Sequence, residues 1–188
     1  MADDLAADGT MAAVTIRPAA RGDAAALIGA HLASRAMHGG WVEPFTTRAG
    51  FDAWFAPTRG TATAPARKVS LLAECEGALV GVVNLNEIVR GAFLSCYMGY
   101  YGLAGPDGRS LAGGGRMTAA VRLAVAHAFG VLGLHRVEAN IQPANARSIA
   151  LVRRLGFRKE GFSPRYLRIG GTWRDHERWA LLSDDLPG

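Results

Sequence analysis

Three consecutive glycines, Gly113-Gly114-Gly115, stand directly before the longest helical stretch of the chain. Glycine lets the backbone turn tightly and bring several N–H groups up to a ligand. A helix start adds unpaired donors and a partial positive charge. Together these make a site for phosphate oxygens, although a flexible connector would use the same residues. No Lys-Ser/Thr follows the glycines, which argues against a P-loop. Further on, Glu138 and Asn140 alternate with Val137, Ala139 and Ile141, and so point away from the apolar face of a strand. Asn145 and Ser148, three apart at a helix start, share a face. The same pair is also a capping arrangement. Trp173 and Asp175 fall on one face of the last strand and His176 on the other. The tryptophan and aspartate either wall a groove for a cationic amine or serve as core and ion-pair residues. His31, His38, His127 and His135 lack partners at metal-ligand spacing. They read as structural or surface residues, and no metal is expected.

A chain of 188 residues fits one domain with a substantial core. Hydrophobic residues make up 49% and charged residues 20%, an ordinary globular balance. The net charge of +5 and pI of about 9.8 suit an anionic ligand or acidic partner. The arginines are dispersed with no basic-aromatic module, so no nucleic-acid partner is expected. No window has the roughly 18 uninterrupted apolar residues of a membrane span. Met1 to Met11 lacks the basic start and apolar run of a secretory signal, and a cytoplasmic location is expected. Cys75 and Cys96 fall in apolar, strand-like runs and read as buried thiols.

The elements that must position these groups follow from periodicity. Residues 1–12 read as a disordered tail and 13–188 as a single domain. Val14 to Pro18 alternates like a short strand, and Ala24 to Arg35 and Arg48 to Ala56 read as helices. Val69–Cys75, Leu79–Val89 and Ala92–Tyr100 form an antiparallel meander whose first turn is Glu76-Gly77. A helix over Gly115–Leu132, a strand over Arg136–Ile141 and a helix from Pro143 to Leu155 come next. Gly170-Gly171 then turns a hairpin of Phe157–Ile169 and Thr172–Leu182. Helices inserted among strands of a mixed sheet make an α/β or α+β domain.

The run Cys96-Tyr97-Met98-Gly99-Tyr100, followed by Gly113-Gly114-Gly115-Arg116-Met117-Thr118, resembles the coenzyme A-binding region of the GNAT N-acetyltransferase superfamily. In that superfamily a strand ends beside a glycine turn that cradles the pyrophosphate at a helix N-terminus. The resemblance therefore implies cofactor contacts from Met98, Gly99, Tyr100, Gly113, Gly114, Gly115, Arg116, Met117 and Thr118. The family pattern Gln/Arg-x-x-Gly-x-Gly/Ala is met at Gly115, while Ala112 and Met117 depart from it. The loop from Gly102 to Ala112 is also about five residues longer than usual. Four later motifs occur in order: His135-Arg136-Val137-Glu138-Ala139-Asn140, Pro143-x-Asn145-x-Arg147-Ser148, Leu155-Gly156-Phe157-x-x-Glu160-Gly161 and Gly171-x-Trp173-x-Asp175-His176. Their spacing resembles the ribosomal-protein-alanine acetyltransferases, the RimJ-like branch. This likeness implies the GNAT fold, a mixed and mostly antiparallel sheet of six to seven strands flanked by about four helices. It also implies acetyl-CoA as cofactor.

Acetyl transfer to an amine requires a free lone pair on nitrogen, stabilisation of the carbonyl oxygen and a proton for the departing thiolate. A protein α-amine has a pKa near 8, against about 10.4 for lysine, so a modest base suffices for an N-terminus. The resemblance implies Glu160 as that base, directly or through water, with Glu138 as its rival. It implies that Asn145 touches the pantetheine arm, with Asn140 and Arg147 beside it, and that Ser148 protonates the sulfur. Val152 stands where many members carry a tyrosine acid, which favours Ser148 or water. Tyr101, Trp173 and Asp175 are assigned to the acceptor, with Trp41 and Phe45 as further candidates. The expected acceptor is a protein N-terminus, a ribosomal protein being the type case, with ribosome association and a monomer or homodimer as matching assemblies. The alternatives are a small amine, such as an antibiotic or polyamine, and a non-catalytic coenzyme A-binding module.

Overall fold

The computed structural model describes residues 13–61 and 64–185, so the expected tail over 1–12 lies outside the described residues. The strands are β1 (Thr15–Pro18), β2 (Val69–Cys75), β3 (Ala78–Val89), β4 (Ser95–Gly102), β5 (Arg136–Ile141), β6 (Arg158–Ile169) and β7 (Thr172–Leu182). The helices are α1 (Ala24–Ala33), α2 (Arg35–His38), α3 (Arg48–Phe55), α4 (Arg116–Ala126) and α5 (Ala146–Arg154). The strands form one sheet in the order β1-β2-β3-β4-β5-β7-β6, the mixed, mostly antiparallel sheet expected. Two turns carry the glycine chemistry that a two-residue hairpin needs. Glu76-Gly77 has φ of 52° and 77°, and Gly170-Gly171 has φ of 59° and 72°.

Differences from the sequence reading have physical causes. Helix α2 has four residues, too few to show a period. Strand β4 begins at Ser95 rather than Ala92, because Leu94 takes a φ of 42° that extended backbone does not allow. The long helix also changes character at its end, where His127–Val131 forms a π turn.

Side-chain alternation sends the strands' apolar residues to both faces of the sheet. On one face, Val121 and Ala124 of α4 and Val152 of α5 pack with Leu71, Val83, Val137, Ala139 and Trp179. On the other, Leu27 of α1 and Phe51 of α3 cover Leu72 and Val82. Truncating such a side chain to alanine typically costs roughly 2–5 kcal/mol. Cys75 and Cys96 are both buried and form no disulfide, as expected. Among the described residues no helix is long and apolar enough to cross a membrane.

The feature that positions the site is the β4–β5 pair. It is the sheet's parallel pairing, and it lasts only from Ser95–Tyr97 to Arg136–Glu138. Beyond it β4 follows β3 as far as Gly102, while β5 follows β7 as far as Ile141. A bulge in β3 between Asn86 and Val89, where Glu87 has φ of 45°, adds local twist beside the fork. The facing edges of Met98–Gly102 and Ala139–Ile141 are therefore left without strand partners.

Candidate active site

A cleft of about 740 Å³ opens between the parted strands. Met98–Gly102 and Ala139–Gln142 form its walls, and Gly113–Gly115, Met117 and Thr118 form one mouth together with Asn145–Ser148. Met37, His38, Trp41 and Val42, with Leu167, Ile169 and His176 of the β6–β7 hairpin, form the other.

The first mouth is made largely of backbone. Arg116 N bonds Gly113 O at 3.2 Å and Ala119 N bonds Gly115 O at 3.0 Å. The amides of Gly113, Gly114, Gly115, Met117 and Thr118 find no acceptor among the described residues. Gly114 and Gly115 hold φ of 60° and 80°, which turns these donors outward. A side chain at Gly113 or Gly114 would meet nothing within 4 Å, so the space above the loop is open. Arg147 and Arg154 also line this end, and among the described residues no Asp or Glu lines the cleft. Free amides at a helix start with guanidinium groups nearby match a diphosphate.

The two departures from the family pattern have local reasons. The Ala112 methyl packs onto Gly102, where a Cβ would lie 2.3 Å from it, so the two small residues fit each other. Met117 lies over Gly81, where a Cβ would be 2.3 Å from its sulfur. The longer 102–112 loop is ordered by Gly105 N to Arg109 O and Leu111 N to Leu103 O, both 2.9 Å. Leu103 anchors it in the core that α1 and α3 cover.

At α5, Asn145 Oδ1 caps the helix by accepting from Ser148 N at 3.1 Å. The Ser148 hydroxyl makes no hydrogen bond among the described residues and lies in the cleft lining. Tyr100 donates its phenol to the Ser148 carbonyl at 3.2 Å, and burial pushes that phenol up to about 12.

Both expected carboxylate bases sit elsewhere. Arg136 Nε bonds Glu138 at 2.8 Å, and its other two nitrogens grip Glu160, one of them at 3.0 Å. The hydrogen bonds from Arg136 hold the Glu160 carboxyl below its usual range, and neither glutamate lines the cleft. Three more expected site residues are turned away from it. Arg116 donates back to Leu111 O at 3.2 Å. Trp173 is 58% exposed, neither core nor cleft wall. Asp175 accepts from Arg165 N at 2.7 Å and pins the bulge between Ser163 and Leu167. Tyr101 and Asn140 do line the cleft, and Asn140 Oδ1 is buried without a partner.

The second mouth is made of side chains from distant segments. Gly40 O accepts from Gln142 at 2.9 Å and Gly170 N donates to Glu43 at 2.9 Å, which fastens the α2–α3 connection across to β5 and the hairpin. His38 Nε2 bonds Gly102 O at 2.8 Å, leaving its Nδ1 buried without a partner. His31 bonds Phe45 O through Nδ1 at 2.7 Å and Tyr101 through Nε2 at 3.2 Å. Burial pushes the His31 imidazole down to about 4 and lowers that of His38, so both are neutral at pH 7. Trp41 lines this mouth as expected, whereas Phe45 packs against the core that α1 and α3 cover. The sequence reading passed over His38 as structural and gave no role to Met37, Leu167, Ile169 or His176. An alternation pattern records which face a residue takes but not which segment lies opposite.

Comparison with known proteins bears on the family and the fold. Residues 13–158 match the family model described as Acetyltransferase (GNAT) domain. The Escherichia coli [ribosomal protein uS5]-alanine N-acetyltransferase is 41% identical over 114 residues, 60% of this chain. The probable N-acetyltransferase YjcK of Bacillus subtilis is 40% identical over 107 residues, 57% of this chain. In each case the match spans 56% of the relative's own length. The structure of Mycobacterium smegmatis RimJ in complex with CoA-disulfide superposes with a TM-score of 0.80 at 31% identity, covering 93% of this chain and 84% of that one. The chain belongs to the GNAT acetyltransferase family.

Proposed function

We propose that the protein transfers an acetyl group from acetyl-CoA to the α-amine of a protein N-terminus. One observation carries the reading: a cleft through the sheet has free main-chain donors and arginines at one mouth and, among the described residues, no acidic side chain in its lining. The bound donor supplies an acetyl group activated as a thioester. The amides of Gly113–Gly115, Met117 and Thr118 hold its diphosphate, with Arg147 and Arg154 adding charge. The unpaired edge of Met98–Gly102 receives the amide-bearing arm as an added strand would be received. Ser148 Oγ is placed in the cleft to give the departing sulfur a proton.

The acceptor mouth favours one amine over several. A polyamine keeps ammonium groups that need carboxylates once desolvated, and the lining offers none. Met37, Trp41, Val42, Leu167 and Ile169 instead supply apolar walls for a small residue and the peptide after it. Glu138 and Glu160 orient Arg136 rather than touch the acceptor. The setting is the cytoplasm, with the N-terminus of a ribosomal protein as the acceptor class.

The test measures release of coenzyme A thiol with four acceptors: a peptide beginning with alanine, the same peptide blocked at its N-terminus but bearing lysine, spermidine and an aminoglycoside. Release with the first and a mass gain on its α-amine is the expected result. Turnover of spermidine or the blocked peptide in preference to it would contradict the reading.

A further inference from the structure

With both glutamates bound to Arg136, the cleft holds few groups able to take a proton near neutral pH. Tyr100 and Tyr101 line it, but burial raises both phenols. What remains are two histidines, His38 and His176. The free nitrogen of His38 has no accessible surface. His176 is different. It is 2% exposed and belongs to the strand face opposite Trp179, the face that also carries Asn140 through the Asn140–Arg178 pairing. Its Nδ1 bonds Arg174 O at 2.9 Å, and a carbonyl can only accept, so the hydrogen sits on Nδ1. The lone pair is therefore fixed on Nε2, which has no partner among the described residues. The groups around it are Arg174 and Asp175 on its own strand, Tyr166 of β6 with ring centroids 6.0 Å away, and Arg178 and Asn140 on the shared face. Burial lowers the imidazole's proton affinity more than Asp175 raises it, which keeps the ring neutral at pH 7.

We propose that His176 Nε2 is the proton acceptor for the attacking amine, a reading that rests on the acetyl transfer proposed above. The amine lone pair forms the new C–N bond at the thioester carbonyl carbon, and the nitrogen becomes cationic and strongly acidic. An imidazole is then base enough. Its Nε2 takes the proton while the C–S electron pair leaves with sulfur. Ser148 gives its proton to the departing thiolate and is reprotonated from solvent, while solvent removes the proton from the imidazolium, so both side chains end neutral and the thiol is released. Fixing the tautomer through the Arg174 carbonyl readies the acceptor nitrogen before the amine arrives.

Two variants test this with an alanine-starting peptide and a thiol-release readout. His176→Asn keeps a donor for the Arg174 carbonyl and removes the acceptor nitrogen, while His176→Gln keeps a polar atom near the Nε2 position that cannot be protonated. Both are expected to lose about 100-fold in kcat/KM, the usual scale of general-base catalysis, with coenzyme A affinity within about threefold of the wild type. In the wild type, log kcat/KM against pH steepens to a slope of about 2 below the histidine pKa, whereas both variants keep the slope of about 1 set by the amine. His176→Asn at wild-type rate, or a wild-type profile with no break below about 6.5, would overturn the assignment and leave the transferase reading standing. A wild type that binds coenzyme A yet releases no thiol with any peptide would overturn the transferase reading itself, and this assignment with it.

Discussion

The two mouths of the cleft are built in opposite ways. The α4 mouth is a short run of neighbouring residues, Gly113 to Thr118, whose donors are main-chain amides. The hairpin mouth gathers His38, Trp41, Leu167 and His176 from segments up to about 140 positions apart, and its chemistry is in side chains. A backbone-built site tolerates any side chain that leaves the turn intact, so its ligand can stay the same while sequences drift. A side-chain-built site changes its preference with each substitution. The donor end is therefore the constant part of such an enzyme and the acceptor end the adjustable part.

Substitutions should separate the two mouths. The largest effect is expected from Gly115→Val, which forces a β-branched residue into φ of 80° and swings the amides away. Coenzyme A affinity should fall by about 10- to 100-fold by calorimetry, with the melting temperature much less affected. Trp41→Ala should do the reverse, raising the peptide KM by about tenfold and leaving coenzyme A affinity alone, as loss of an aromatic anchor does. Equal effects of both substitutions on both ligands would erase the distinction. Ser148→Ala should lower kcat by about tenfold with both affinities retained, the low end of general-acid effects.

Glu160→Ala should touch neither mouth. Its carboxylate is 44% exposed, so losing the pair should cost about 1 kcal/mol or less and change kcat/KM by less than about threefold. Because the folded carboxyl sits below its unfolded value of about 4.3, that stabilisation is present above this pH. It disappears as pH falls through the lower folded value. Denaturant midpoints of the wild type and variant should therefore converge in acid. A large loss of turnover would return Glu160 to the chemistry.

The same contrast explains what the sequence made legible. The glycine run, the Asn145 cap and the Gly170-Gly171 turn are local, so residue type and spacing declare them. Element order allows β5 to lie parallel to β4, since it arrives only after α4 crosses over, but where the two strands part is not written in it. Glu160 is a different case. Its motif marks a strand position, but Arg136, 24 residues away, decides where the carboxylate points. Nothing near His176 in sequence announces that residues of α2 and of the far ends of β5 and β6 line the same cleft. Short α2 adds to this, for four residues show no period while still delivering His38 to the cleft.

The central claim is that the Gly113–Thr118 amides grip a diphosphate and so aim a thioester through the sheet. The direct measurement follows the backbone amide resonances of these residues by ¹⁵N NMR as coenzyme A is added, alongside pantetheine, which lacks the diphosphate. Large saturable shifts at Gly113, Gly114, Gly115, Met117 and Thr118 with coenzyme A, and small ones there with pantetheine, are the expected result. Saturable coenzyme A binding that leaves those amides unmoved would contradict the claim.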